Sequence, residues 1–432
     1  MNPVIKRISL FAILFGLLVN SAEGLQLNNA EQPEVNFRDA SLEDWQADLV
    51  QLDTAIRDQH PALRFSETRD MWNDSVEQIR VALPTQSATE RLAALSHLVA
   101  SLEDGHSNVV PFFVQSLGFE KQLPIRVFDF DDGVFVIQAE PGNESLLAQQ
   151  IVSINDMPIE DVRTHLISMI GRENDQWGRN WMPTLLSNPV YLEAIGAMEI
   201  DGAIVLTVQD NDGMRRQVRL EPGIPTGELV DARSSTAINR ARPPADPERN
   251  IDFAVIDGGQ TIYVAFNAVE DNDNETIADV SARIQETATR LGTTRVIFDV
   301  RRNRGGNNFL NEAIIRDTIR AGLDHSEGTI VLVGRQTFSA AMNFVTEAER
   351  HLDAVLIGEP TGGAPNHFGD ANFVNLTMTG LPVIHSTLYW QGSLPTDTRR
   401  TVTPNVVVPV MFDDWLAGHD VVLEAALADN RP

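Results

Sequence analysis

From residue 261 onward, strand-like apolar runs alternate with helical stretches, and this alternation limits the fold more than any other feature. Residues 261–266 (TIYVAF), 295–300 (RVIFDV), 329–333 (TIVLV) and 354–357 (AVLI) are rich in β-branched and aromatic residues. Between them, residues 275–291, 308–321 and 339–351 read as helices. Continuous apolar strands separated by helices predict an α/β layer around a mostly parallel sheet buried on both faces.

The preceding chain reads differently. Trp45, Leu49, Leu52 and Ile56 recur at helical spacing and stop before Pro61, a residue that forces its predecessor out of the helical region. Further helices are expected over about 69–81 and after Thr89, so residues 38–110 form an N-terminal helical domain. Strand signals at 123–128, 133–137, 151–154, 203–208 and 217–220 follow, with short helices at 143–149 and 159–170. Residues 223–250, rich in Pro, Arg, Asp and Ser, read as a linker, and 251–428 as the α/β domain.

The chain has 432 residues, enough for two or three domains. Its formal net charge of −28 has the wrong sign for nucleic acid or an anionic membrane. Cysteine is absent, which excludes disulfides, thiolate catalysis and Cys-ligated metals. Residues 1–24 combine a basic start (Lys6, Arg7), a short apolar stretch and small residues near Ser21 and Gly24. That is the pattern of a secretory signal peptide, so the chain is expected to be exported to the periplasm or outside the cell. No later stretch is long and apolar enough to span a membrane.

Two strand ends carry candidate chemistry. After 295–300 comes Asp299-Val-Arg-Arg-Asn-Arg-Gly-Gly306 and then a helix. Paired glycines before a helix suit a phosphate cradle, an oxyanion hole or an ordinary tight turn, and no G-x-G-x-x-G or Walker pattern accompanies them. After 329–333 comes Thr337-Phe-Ser-Ala-Ala341, where Ser339 is either a helix N-cap or a nucleophile. Ligands in α/β domains gather beyond the carboxyl ends of strands, where both segments lie. A nucleophilic serine needs a base. His106, in the short loop Leu102-Glu-Asp-Gly-His106, and His367, in a glycine-rich stretch, are the candidates. No H-E-x-x-H helix supports metal hydrolysis, and no metal or cofactor is expected.

Taken in order, LEDGH (102–106), D-x-R-x-N-x-G-G (299–306), TFSAA (337–341) and GEPTGG (358–363), with Asp397 to Asn405 as a closing segment, resemble the tail-specific, or C-terminal processing, serine peptidases. Tricorn-core proteases and retinoid-binding repeats are relatives of that family. The resemblance spans about residues 40–428. It implies a crotonase- or Clp-like ββα catalytic domain and a PDZ-like module over 115–222, with residues 171–197 as a helical insertion. One branch of the family pairs its serine with a downstream lysine, whose place here falls on Ala364. The only lysines in the chain are Lys6 and Lys121, so the histidine branch is expected instead.

That branch implies Ser339 as nucleophile, His106 as general base and a distant carboxylate, for which Asp397 stands in the matching region. Gly306 or Gly305, with Ala340, would supply the oxyanion hole. The expected activity is endopeptidase cleavage of peptide or protein substrates. Two rival readings are a binding protein on the same fold and a crotonase-type acyl-CoA enzyme.

Overall fold

The structure, a computed structural model, describes residues 36–110, 119–198 and 202–429. The expected signal peptide lies outside them. Among the described residues no helix is long and apolar enough to cross a membrane. The chain divides into two compact units. One comprises Pro244–Val331 and Thr337–Val355; the other comprises Pro33–Pro243, Leu332–Gln336 and Leu356–Pro432.

The larger unit opens with α1 (Leu42–Gln59), α2 (Ser66–Ala82) and α3 (Ala88–Ala100). Ser41 and Ser87 start α1 and α3 with capping boxes closed by Asp44 and Glu90. Trp45, Leu49, Leu52 and Ile56 are all buried, as their spacing requires. A short loop joins α3 to β1 (Asn108–Val109).

Next come β2 (Ile125–Phe130), β3 (Gly133–Ala139), β4 (Gln150–Ile154), β5 (Met157–Pro158), α4 (Ile159–Ser168), α5 (Asp175–Leu186), α6 (Pro189–Ala194), β6 (Ile204–Gln209) and β7 (Arg215–Leu220). The sheet order is β2-β3-β4-β6-β7, and β5 pairs with β4. The stretch 143–149 forms only a 3-10 turn at Glu144–Leu146. Residues 223–250 are not bare linker. They hold β8 (Val230–Asp231), which pairs with β3, and α7 (Ser235–Arg240). The Gln138 amide donates to the Asp231 carboxylate (3.2 Å) and ties that strand down.

The smaller unit contains β9 (Ile251–Ile256), β10 (Thr261–Phe266), α8 (Ile277–Leu291), β11 (Arg295–Asp299), α9 (Asn311–Arg320), β12 (Thr329–Val333) and α10 (Ala340–His351). Strands run in the order β9-β10-β11-β12, with β9 antiparallel and β11 parallel to β10. Every residue of β10 and β12 is buried, as expected for strands covered on both faces. Phe344 of α10 meets Phe266 and Phe298 edge-on, each at 5.3 Å, and so fixes the start of α10 against two strand ends.

Residues from 356 onward are grouped with the larger unit, not with the α/β segment that precedes them in the sequence. They form most of β13 (Val355–Gly358), then β14 (Asn366–Asn375), β15 (Pro382–Gln391), β16 (Val406–Val407), α11 (Phe412–Ala417) and α12 (Val421–Ala428). The reason is pairing. β15 bonds antiparallel to both β14 and β1, with Asn108 opposite Ile384, so the hairpin belongs with the α3–β1 loop. His367 therefore sits on a strand, not in a glycine-rich loop.

Candidate functional site

In the smaller unit, Ser339 occupies the N-cap position of α10, yet its side chain makes no capping hydrogen bond. Its backbone is at φ 53°, ψ −127°, a conformation that costs a residue with a Cβ on the order of 1–3 kcal/mol. A strained serine on a sharp strand-to-helix turn is how nucleophile elbows expose a hydroxyl. Neighbouring bonds hold this turn: Thr337 Oγ1 donates to Val300 O (2.9 Å), Phe338 N–H to Asn303 O (3.1 Å), and Asn311 Nδ2 to Ala340 O (3.0 Å).

The glycine loop packs directly on it. A Cβ on Gly305 would stand 2.6 Å from Ser339 Cβ and 2.9 Å from Ala340 N, so only glycine fits. Gly306 is equally constrained, because a Cβ there would meet Val269 O at 2.4 Å. The Gly305 N–H donates to Asn303 Oδ1 (2.9 Å), and buried Asn303 is itself anchored to Phe266 O (3.0 Å). The N–H groups of Gly306 and Ala340 have no acceptor among the described residues.

His106 lies in the larger unit, in the loop between α3 and β1, within a fully buried polar cluster. Asp104 is its hub. Asp104 Oδ1 accepts the His106 backbone N–H (2.9 Å), while Oδ2 accepts from His60 Nε2 (3.0 Å) and Ser107 Oγ (2.5 Å). His60 Nδ1 takes the Ala62 N–H (3.2 Å), which leaves Nε2 as the protonated nitrogen. Burial pushes the Asp104 carboxyl up, but the bonds from His106 and His60 outweigh it and hold the group well below the usual carboxylate range. The His106 ring stacks on His367 at 5.7 Å and 12°. Burial, then the neighbouring His106, lowers His367 to about 4, and its Nδ1 donates to Ala364 O (3.0 Å).

The sequence reading missed one residue here. Glu173, just before α5, brings a carboxylate oxygen within 4.8 Å of both a His106 nitrogen and an Asp104 oxygen. It is only 7% exposed. Burial, then the Asp104 charge, raises its carboxyl to about 7. These three donors are also close enough together to take a divalent cation, which would occupy the His106 lone pair. Asp397 has another partner. Its carboxylate accepts from the Arg399 guanidinium (2.8 Å), which holds it at about 2.

No family model matches the sequence, and no curated protein matches it. Solved structures do. Mature CPAF complexed with lactacystin aligns with TM-score 0.62 at 15% identity, covering 89% of this chain and 97% of that one. This chain has the fold of CPAF. A second structure of mature CPAF aligns at 0.60 with 14% identity, covering 89% and 96% of the two chains. A CPAF mutant aligns at 0.59 with 13% identity, covering 90% and 99%. The alignment runs nearly end to end in CPAF, so the likeness takes in both compact units and is not confined to the α/β layer.

Proposed function

We propose that this chain is an exported serine endopeptidase that works through a Ser339 acyl-enzyme, with His106 as general base. The observation that carries this reading is the Ser339 backbone: a strained serine at a helix start with no capping bond, pressed against Gly305. The order of the four motifs and the CPAF fold support it further.

In the proposed cycle His106 takes the Ser339 hydroxyl proton as Oγ attacks the substrate carbonyl carbon. The N–H groups of Gly306 and Ala340 receive the negative oxygen, and removing one such donor typically costs roughly 3 kcal/mol of barrier. His106 then hands its proton to the leaving amine nitrogen. A water molecule, deprotonated by His106, attacks the acyl carbon and frees the product acid, and Ser339 regains its proton. Gly305 has a different task, since its N–H serves Asn303: it lets the loop close on Ser339. Ala364 stands where the lysine branch would place its base, so that branch has no candidate here. The seven-stranded sheet built on β2 to β8 is the proposed PDZ-like module, suited to holding a peptide segment.

The test uses protein beginning near Leu25 with an unstructured peptide pool, followed by mass spectrometry. Wild type should cleave, while folded Ser339→Ala and His106→Ala should not. Lactacystin, which CPAF binds, is the first inhibitor to try. Cleavage that survives Ser339→Ala removes the nucleophile, and no cleavage by wild type favours a binding role on the same fold.

A further inference from the structure

We infer that Glu173 is a second carboxylate, beside Asp104, that faces His106 and helps position its ring, an inference that rests on the peptidase reading above. Three candidates exist in the larger unit, and two are already engaged. Asp397 is bound by Arg399. Both Asp104 oxygens hold other donors, and Asp104 Oδ1 also lies 3.7 Å from His106 Nδ1 as an ion pair with the ring. Asp104 is therefore shared among the His106 backbone, His60, Ser107 and the His106 ring.

Glu173 is different. Both of its carboxylate oxygens are buried and have no side-chain hydrogen bond among the described residues, with only the backbone N–H groups of Gly105 and of Glu173 itself beside them. Burying a carboxylate in that state is costly unless a cationic or polar partner compensates. The imidazole within reach is that of His106. An imidazole that becomes imidazolium during catalysis gains most from a carboxylate beside it, as the orienting carboxylates of serine hydrolases show.

The chain fixes this placement from several sides. Gly171 lies so close to the loop that a Cβ there would meet Ser107 O at 2.0 Å and Asp104 O at 2.5 Å. Its N–H donates to Asn108 Oδ1 (2.8 Å). Arg400 Nε donates to the Glu173 carbonyl, and Asn174 Nδ2 donates to Gly362 O (2.9 Å). A glycine with no room for a side chain, followed two residues later by a buried acid, is a segment built to deliver that acid. The other titratable groups facing His106 are Asp104 on its own loop and His367 on β14. Glu103, next to Asp104, is paired with Arg400.

The experiment compares wild type with Glu173→Gln, Glu173→Asp and Asp397→Asn. His106 is followed by NMR titration of the folded proteins, and kcat and KM are measured on any peptide that wild type cleaves. Glu173→Gln should move the His106 titration to lower pH, because it removes an adjacent carboxylate. It should lower kcat by about tenfold or more, with KM little changed. Glu173→Asp should recover part of both. An unmoved His106 titration in Glu173→Gln overturns the inference, as does a shift produced by Asp397→Asn instead. If wild type cleaves nothing, the peptidase reading fails separately, and the NMR titration still decides whether Glu173 faces His106.

Discussion

Gly305 and Ser339 are in contact through a missing side chain: a Cβ on the glycine would lie 2.6 Å from Ser339 Cβ and 3.0 Å from its Oγ. The loop after β11 and the turn after β12 are thus fitted to each other, and the strained serine is held between them. Gly305→Ala should therefore destabilise the fold by about 2 kcal/mol or more, since the clash is with backbone and Cβ atoms and φ is 114°. Chemical denaturation measures the loss, and reactivity of Ser339 should fall with it.

The strain at Ser339 has its own test. Ser339→Ala and Ser339→Gly both remove the hydroxyl, but only glycine tolerates φ 53°, ψ −127°. Relief of strain should exceed the extra entropy of an unfolded glycine, leaving Ser339→Gly more stable than Ser339→Ala by about 1 kcal/mol. Equal unfolding midpoints for the two variants would show an unstrained turn.

Asp104 should prove the more important of the two acids for stability. Asp104→Asn replaces one acceptor oxygen with a donor in a cluster that presents His60, Ser107 and the His106 N–H to it. Breaking a buried charged network of this kind costs about 3 kcal/mol. Urea unfolding at neutral pH should register it.

Much of the fold is legible in the sequence, and the limits are physical. Helix α1 follows from Trp45, Leu49, Leu52 and Ile56, and the α/β alternation from the runs at 261–266, 295–299 and 329–333. These are local periodicities. The β14–β15 hairpin was not legible, because polar residues dilute its alternation and Asp370 breaks it with φ 54°. Glu173 carries no motif at all. Its meaning comes from Gly171 packing on a loop more than sixty residues upstream, a tertiary fact with no signature in composition. The Ser339 backbone angle likewise separates a capping serine from an exposed one, and the sequence shows only the residue type.

Glu173 also sets a pH dependence. Its folded-state carboxyl, at about 7, lies above the ordinary unfolded value near 4.3. Below about pH 4 both states hold the proton and nothing changes. As pH rises from there to about 7, the unfolded chain releases a proton that the fold retains, so stability falls with pH. Glu173→Gln should remove this slope. Relative to the variant, wild type should lose about 2 kcal/mol between pH 5 and pH 8. Parallel stability curves for the two proteins would contradict the raised carboxyl.

The central claim is that Ser339 is a nucleophile activated by His106, and covalent labelling tests it without knowledge of the substrate. Folded wild type, Ser339→Ala and His106→Ala are incubated with a fluorophosphonate probe, digested and mapped by mass spectrometry. The account predicts one adduct, on Ser339 of wild type, and little or none in either variant. Labelling of His106→Ala at the wild-type rate would contradict the role of the histidine, and a folded wild type unlabelled at Ser339 would contradict the nucleophile itself.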